Sequence, residues 1–231
     1  LDLKMMQTLT EILVKHGMTR PLLSDAQLAR VIEGSSQRRY NLVNRALKAG
    51  ELHRLRRGLY LLARPYRAYD CHPFAVAQRV VPGSYISLET ALAHHGWIPE
   101  AVHATASIVP GTKSNDLEDS HFGRLTFHPL ATQEGHFLEL VGRTTINYQT
   151  MLIAEPVRAL LDLVCLRKQE WQGMAWLEQG MRIELDLLRS VSGAQLGTLK
   201  LVYKQKRVQD FIRNMEKELE MESDACRAKK S

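Results

Sequence analysis

"SSQRRYNLVNRALKAGELHRLRRGLYLL", Ser35 to Leu62, carries two apolar rhythms beneath one run of positive charge, and the rhythm changes at Gly50. Before Gly50 the spacing is helical. A helix advances about 100° per residue, so with Val43 at zero Leu47, Ala46 and Leu42 fall near about 40°, 300° and 260°. Lys48, Asn41, Arg45 and Arg38 occupy the opposite side, from about 140° to 220°. Core residues and a stripe of Arg, Asn, Arg and Lys are thus separated on one helix. Arg39 falls near about 320°, beside the apolar side, which suits a phosphate contact or a structural pairing better than base reading. Ser35 or Ser36 can cap the helix by accepting its orphan N–H bonds, and Gly50 stops it.

After Gly50, "ELHRLRRGLYLLA" sets Leu52, Arg54 and Arg56 against His53, Leu55 and Arg57, an imperfect strand-like alternation. Gly58 separates that segment from "LYLLA", and two short strands around a basic glycine turn predict a hairpin. Upstream, "KMMQTLTEILVKH" places Met6, Leu9, Ile12 and Leu13 at helical spacing, ended by Gly17. Ser24-Asp25 opens a second helix with Leu28, Val31 and Ile32 as its stripe. Three helices followed by a hairpin is the order of a winged helix-turn-helix.

The stripe suits a DNA major groove. Arg can donate twice to guanine, and Asn can pair with adenine. Arg38, Asn41 and Arg45 are the candidate base readers. Ser36, Arg39, Lys48, Arg54, Arg56 and Arg57 are candidates for phosphate or wing contacts. Charge distribution agrees: residues 1–69 hold 13 Lys and Arg against 5 Asp and Glu, whereas the rest of the chain is slightly acidic. The alternative reading of the stripe is an ordinary solvated face, and RNA stays open, although no aromatic-rich RNA-binding sheet motif is visible.

Further along, "ARPYRAYDCHPF" reads as a linker, dividing residues 1–67 from a second domain over 68–231. In that domain Ser87 is a candidate N-cap, and "ATASIVPG", "GRLTFHPL" and "TTINYQTMLIAEP" read as strands. Asp116, Glu118 and Asp119 form an acidic run read as a solvated loop. "PVRALLDLVCLRK" starts a helix at Pro156, and residues 170–220 are mostly helical. Val208, Phe211, Ile212, Met215 and Leu219 share a face suited to docking on the same domain, with a dimer contact as the alternative, though the pattern is shorter than a coiled coil needs. The expected fold class is α+β: an N-terminal winged helix-turn-helix, then a mixed α+β domain with a helical C-terminal end.

Catalytic signals are weak. Nine histidines form no HExxH, and His94-His95 are adjacent on a helix and diverge. Cys71, Cys165 and Cys226 form no CxxC pair, which argues against a zinc ribbon or disulfide framework and fits a reducing cytoplasm. No G-x-S-x-G elbow is present, and "PGTKS" around Lys113 lacks the phosphate-loop spacing. No catalytic residue, metal, cofactor or membrane contact is expected.

Four motifs in order carry a resemblance: "LKAGELHRLRRGLYLL" (47–62), "YISLETALAHHGWIP" (85–99), "FGRLTFHPL" (122–130) and "IAEPVRALLDLV" (153–164). Over about residues 5–166 the chain resembles the AbiEi-type antitoxins of type IV toxin–antitoxin systems, which act in abortive infection as phage defence. The resemblance implies a winged helix that binds operator repeats in double-stranded DNA and represses its own operon. It also implies a C-terminal antitoxin domain that counteracts a nucleotidyltransferase-like toxin, typically without a stable direct complex. One departure is Val157, where the family often has an acidic residue in Pro-Glu-(Lys/Arg)-Ala-Leu-Leu-Asp. Arg158 and Asp162 match. They lie one turn apart, a pairing worth about 0.3–0.5 kcal/mol if exposed. The rival readings are a stand-alone transcription factor whose second domain senses a ligand or partner, and a nucleic-acid-processing enzyme.

Overall fold

The computed structural model describes residues 7–99, 103–113 and 115–228. The chain is mixed α+β and divides into two compact units, residues 1–82 with 145–149, and residues 83–144 with 150–231.

The first unit begins with helix α1 (Leu9–Lys15), strand β1 (Leu22–Ser24), helix α2 (Asp25–Val31) and helix α3 (Ser36–Lys48). Strands β2 (Leu52–Arg56) and β3 (Leu59–Leu62) follow. Met6, expected on the first helix, lies outside the described residues. Thr8 and Ser24 open α1 and α2 with reciprocal capping boxes through Glu11 and Gln27. Such a cap is worth about 1 kcal/mol. Ser35, not Ser36, caps α3 by accepting the Arg38 N–H at 3.2 Å. The three helices bury Leu9, Ile12, Leu13, Leu28, Leu42, Val43 and Ala46 against Leu23, Leu52 and Leu62 of the sheet. That sheet is antiparallel throughout, in the order β1-β3-β2.

The imperfect alternation after Gly50 has a physical cause. Register shifts between Arg54 and Arg56, a β-bulge that places an extra residue opposite β3. Leu52 and Leu55, three apart, are therefore both buried, while Arg54 and Arg56 are exposed.

The division at Pro82 differs from the expected one after Arg67, because the presumed linker is folded. A 3₁₀ turn (Arg64–Tyr66) leads to an Arg67–Asp70 ion pair and helix α4 (Pro73–Val80). Pro73 starts α4 with its fixed φ, the His72 ring accepts the Phe74 N–H, and Phe74 to Ala77 are buried. The Gln149 side chain accepts from His72 N and donates to Asp70 O, tying residues 145–149 to this segment.

The second unit is built on a six-stranded mixed sheet, β6-β7-β5-β4-β9-β8. Its strands are β4 (Tyr85–Ile86), β5 (Ala104–Val109), β6 (Asn115–Asp119), β7 (Gly123–Pro129), β8 (Val141–Ile146) and β9 (Gln149–Ala154). The acidic run is thus not a loop but edge strand β6, antiparallel to β7. Charge on an edge discourages pairing with other chains. Asp119 within it is buried and accepts the His121 and Phe122 N–H groups. "TTINYQTMLIAEP" is broken into β8 and β9 by Asn147-Tyr148, both at positive φ as a tight two-residue hairpin turn demands. Helix α5 (Leu88–His94) follows β4, and helix α6 (Pro156–Leu166) follows β9. A π-helical turn (Trp176–Gly180), α7 (Leu185–Arg189), α8 (Gly193–Lys200) and α9 (Lys206–Ala228) complete the unit. Val208, Phe211, Ile212 and Met215 of α9 are fully buried and Leu219 half-buried, so that face docks on its own unit as expected. No helix among the described residues is long and apolar enough to cross a membrane.

Helix α6 is buried on every side, and this changes the meaning of Arg158 and Asp162. Both are 0% exposed. Arg158 Nε donates to Asp162 Oδ1 at 3.0 Å, and its two remaining nitrogens reach Tyr85 Oη and the carbonyls of Glu139 and Phe137. Tyr85 and Ser87 donate to Asp162 Oδ2, and Tyr203 donates to Oδ1 at 2.8 Å. Burial opposes the guanidinium charge, but Asp162, with Tyr203 and Tyr85, outweighs it and raises the Arg158 pKa. Burial, reinforced by the Asp162 charge, pushes both tyrosines well up, so each remains a donor.

Removing one buried partner strands the other. Arg158→Met is expected to destabilise the second unit by about 3–5 kcal/mol, and Arg158→Met with Asp162→Leu by less than the sum of the singles. Urea unfolding followed by tryptophan fluorescence checks this, since Trp97, Trp171 and Trp176 all lie in that unit.

Candidate nucleic-acid interface

The polar side of α3 borders a concave surface of about 840 Å³ lined by Ser35, Gln37, Arg38, Asn41, Asn44, Arg45 and Lys48, with Gln7 and Leu42. No acidic side chain lines it. Ser36, Arg38, Asn41, Arg45 and Lys48 are exposed, whereas Leu42, Val43 and Ala46 are buried, so the helix separates its faces as the spacing requires. Arg39 is half-buried, consistent with its place beside the apolar stripe.

Two of the candidate residues on α3 are already engaged locally. Arg38 Nη1 donates to the Glu33 carbonyl at 2.6 Å, which lays the guanidinium across the turn before α3. Gln37 Nε2 donates to Asn41 Oδ1 at 3.1 Å. A bidentate contact to adenine uses both the amide donor and the amide acceptor of Asn41. Such a contact would require Gln37 to release the Asn41 acceptor, which it holds in this structure. Gln37 and Asn44 were missed by sequence reasoning. The signal was present: Gln37 precedes Asn41 by one helical turn, the spacing at which side chains meet.

On the hairpin, Arg54, Arg56 and Arg57 are all exposed, but differently held. The Arg54 guanidinium lies 5.9 Å from the centre of the Tyr60 ring, a cation–π contact along the sheet. Arg56 reaches the Arg57 and Arg79 carbonyls through long bonds of 3.4 and 3.5 Å. Arg57 occupies the turn itself. The turn is clipped to α2: Asp25 N donates to Gly58 O at 3.1 Å. Burial raises the Tyr60 pKa, and a hydrogen bond to the Asp25 carboxylate raises it further.

Every residue expected on α3 and the hairpin belongs to one compact unit, and of these Arg38, Asn41, Arg45 and Lys48 line the concave surface. The site is a helix face of mixed Arg and amide chemistry, together with a turn that carries arginines. No protein-family model matches the chain, and no curated protein matches it.

Gly58 sits at φ 76°, and a Cβ there would meet Asp25 Oδ2 at 3.0 Å. Gly50 sits at φ 71° with open space around it. Both Gly→Ala replacements incur the left-handed backbone strain of about 1–2 kcal/mol, and Gly58→Ala is expected to cost more. Thermal unfolding of the two variants side by side measures the difference.

Proposed function

We propose that the chain is a sequence-specific DNA-binding repressor whose first unit is a winged helix-turn-helix. The observation that carries this reading is the exposed, acid-free stripe of Arg38, Asn41, Arg45 and Lys48 on α3, in the same unit as the arginine-bearing hairpin. The order α1-β1-α2-α3-β2-β3, with sheet order β1-β3-β2, supports it. In this reading α3 enters the major groove with Arg38, Asn41 and Arg45 on base edges. Ser36, Arg39 and Lys48 hold phosphates, and Arg54, Arg56 and Arg57 follow the backbone beside the groove.

The biological role we propose follows the AbiEi resemblance. The repressor controls its own operon from the cytoplasm, and the second unit counteracts a nucleotidyltransferase-like toxin encoded beside it, without a stable complex. The chain then acts by binding, not by catalysis. A stand-alone transcription factor with a ligand-sensing second unit is favoured by one observation, a cavity of about 660 Å³ within that unit.

Anisotropy titration of the chain against DNA from upstream of its own gene tests the repressor. Loss of a specific base pairing by Asn41→Ala is expected to weaken binding by about 1–3 kcal/mol and relax preference at one position. Replacing Arg54, Arg56 and Arg57 together with Ala is expected to weaken all sequences alike. The salt slope is expected to fall by about one for each phosphate no longer neutralised. Undiminished specific binding by the triple variant Arg38→Ala, Asn41→Ala, Arg45→Ala would overturn the α3 assignment. Co-expression with the adjacent toxin is expected to restore growth. Failure to do so removes the antitoxin role and leaves the repressor.

A further inference from the structure

The second unit contains a cavity of about 660 Å³ that the DNA-binding reading does not use. It lies over one face of the β5–β7 pair. Ala104 and Ala106 of β5 and Thr126 and His128 of β7 share that face, as the register Ala106↔Thr126 and the two-residue period require. Leu125 and Phe127 fill the other face and are buried. The alanines leave the space. Leu88, Ile98, Leu163, Leu166 and Met181 supply apolar walls.

Polar groups occur at two levels. Inside, Thr126 is only 7% exposed and lines the cavity, and its hydroxyl makes no hydrogen bond among the described residues. A wall hydroxyl with no protein partner can donate to, or accept from, whatever fills the space. His128 stands two residues along the same face. Burial lowers its pKa, with Asp116 and Glu89 opposing and Arg124 assisting, which favours the neutral imidazole. A hydroxyl and a neutral imidazole can each donate or accept, and neither carries charge. At the mouth, Glu89 and Arg167 form an ion pair, with the Arg167 side chain 56% exposed. Thr90, by contrast, is committed: its hydroxyl donates to Ala104 O and accepts from Ala106 N, both at 2.9 Å.

We infer that this cavity binds a nucleoside, with the base against the apolar walls, its polar edge on Thr126 and His128, and the ribose diol on Glu89. Each part of the pocket contributes to that choice. The volume suits a ligand of this size. Apolar walls accept a ring face. An uncharged interior with two amphoteric groups matches a base edge, which alternates donors and acceptors. A carboxylate at the mouth can accept from sugar hydroxyls, and its pairing with Arg167 leaves no uncompensated charge there for a phosphate. The ligand is therefore a nucleoside rather than a nucleotide. It carries no phosphate to engage the arginines of α3, so the inference stands apart from the DNA-binding reading.

Calorimetry of the full chain with adenosine, guanosine, cytidine and uridine, each to about 5 mM, and with the 5′-monophosphate of whichever binds, provides the test. At least one nucleoside is expected to bind in the micromolar to low millimolar range, with its monophosphate at least about fivefold weaker. Thr126→Val keeps shape and removes the hydroxyl, and is expected to weaken binding about tenfold without lowering the thermal midpoint. Ala106→Val, which narrows the cavity, is expected to weaken it comparably and stands in if Thr126→Val proves unstable. Absence of binding by all four nucleosides, a monophosphate that binds as tightly, or binding untouched by a folded cavity variant overturns the proposal.

Discussion

Everything in the second unit converges on one buried charge pair. Arg158 and Asp162 lie in the middle of a helix with no solvent on any side. Two charges taken from water cost several kcal/mol each, and their mutual attraction repays this only when the remaining lone pairs and protons are satisfied. Here they are. Asp162 accepts two bonds at each oxygen, and Arg158 spends its donors on Asp162, Tyr85 and two loop carbonyls. The consequence is topological. Tyr85 comes from β4, Ser87 from the turn after it, Tyr203 from between α8 and α9, and Phe137 and Glu139 from the loop before β8. Segments far apart in the chain must meet at one point, or a charge stays unpaired. An apolar core tolerates sliding; this network does not.

The first unit works by the opposite principle. Its core is mainly apolar, with no buried charge pair among the described residues, and most of its charged groups are exposed. Arg38 on a carbonyl, Asn41 on Gln37 and Arg54 on the Tyr60 ring are local pairings that already hold these side chains. In the DNA-binding reading we propose, side chains already held in this way lose less freedom on binding than free ones would. The rigid element beneath is the helix itself, whose capped start and buried stripe set where those side chains emerge.

Legibility in the sequence followed the range of the physics involved. Helix α3 was readable because a helix repeats within a few residues and its two faces differ sharply in polarity. The hairpin was readable from Gly58 and its flanking leucines, while the bulge appeared only as a fault in the alternation. Helix α4 was missed because eight residues that begin with a proline, after a stretch rich in aromatics, are too few to show a period. The acidic run was taken as a loop because an edge strand with one solvated side and a buried Asp119 looks like solvent-facing sequence. The largest misreading was energetic. Arg158 and Asp162 at i,i+4 suggest a weak surface pair, yet "PVRALLDLVCL" is otherwise apolar all round, the pattern of a helix with no exposed face. The Thr126–His128 face could not be read at all, since the walls around it come from widely separated segments.

Residues 87 to 90 join the core network to the cavity. Ser87 stands at the N-cap of α5 as expected, but its hydroxyl does not cap the helix; it donates to Asp162 at 2.7 Å. That anchor, with Ser87 N on Ala106 O, forces the chain to turn abruptly, and Leu88 takes φ 56°. A bulky residue adopts that region only when its surroundings over-determine it. Here they do: Asp162 holds the residue before it, and Thr90 is bonded twice to β5 just after. Leu88 thereby enters the cavity wall, and Glu89 comes to the mouth. The strain at one residue is what places a carboxylate beside the opening, and the buried pair on α6 is what sustains the strain. Any change that lets Ser87 leave Asp162 also releases Glu89, so the integrity of the core and the shape of the cavity are physically coupled through this short run of consecutive residues.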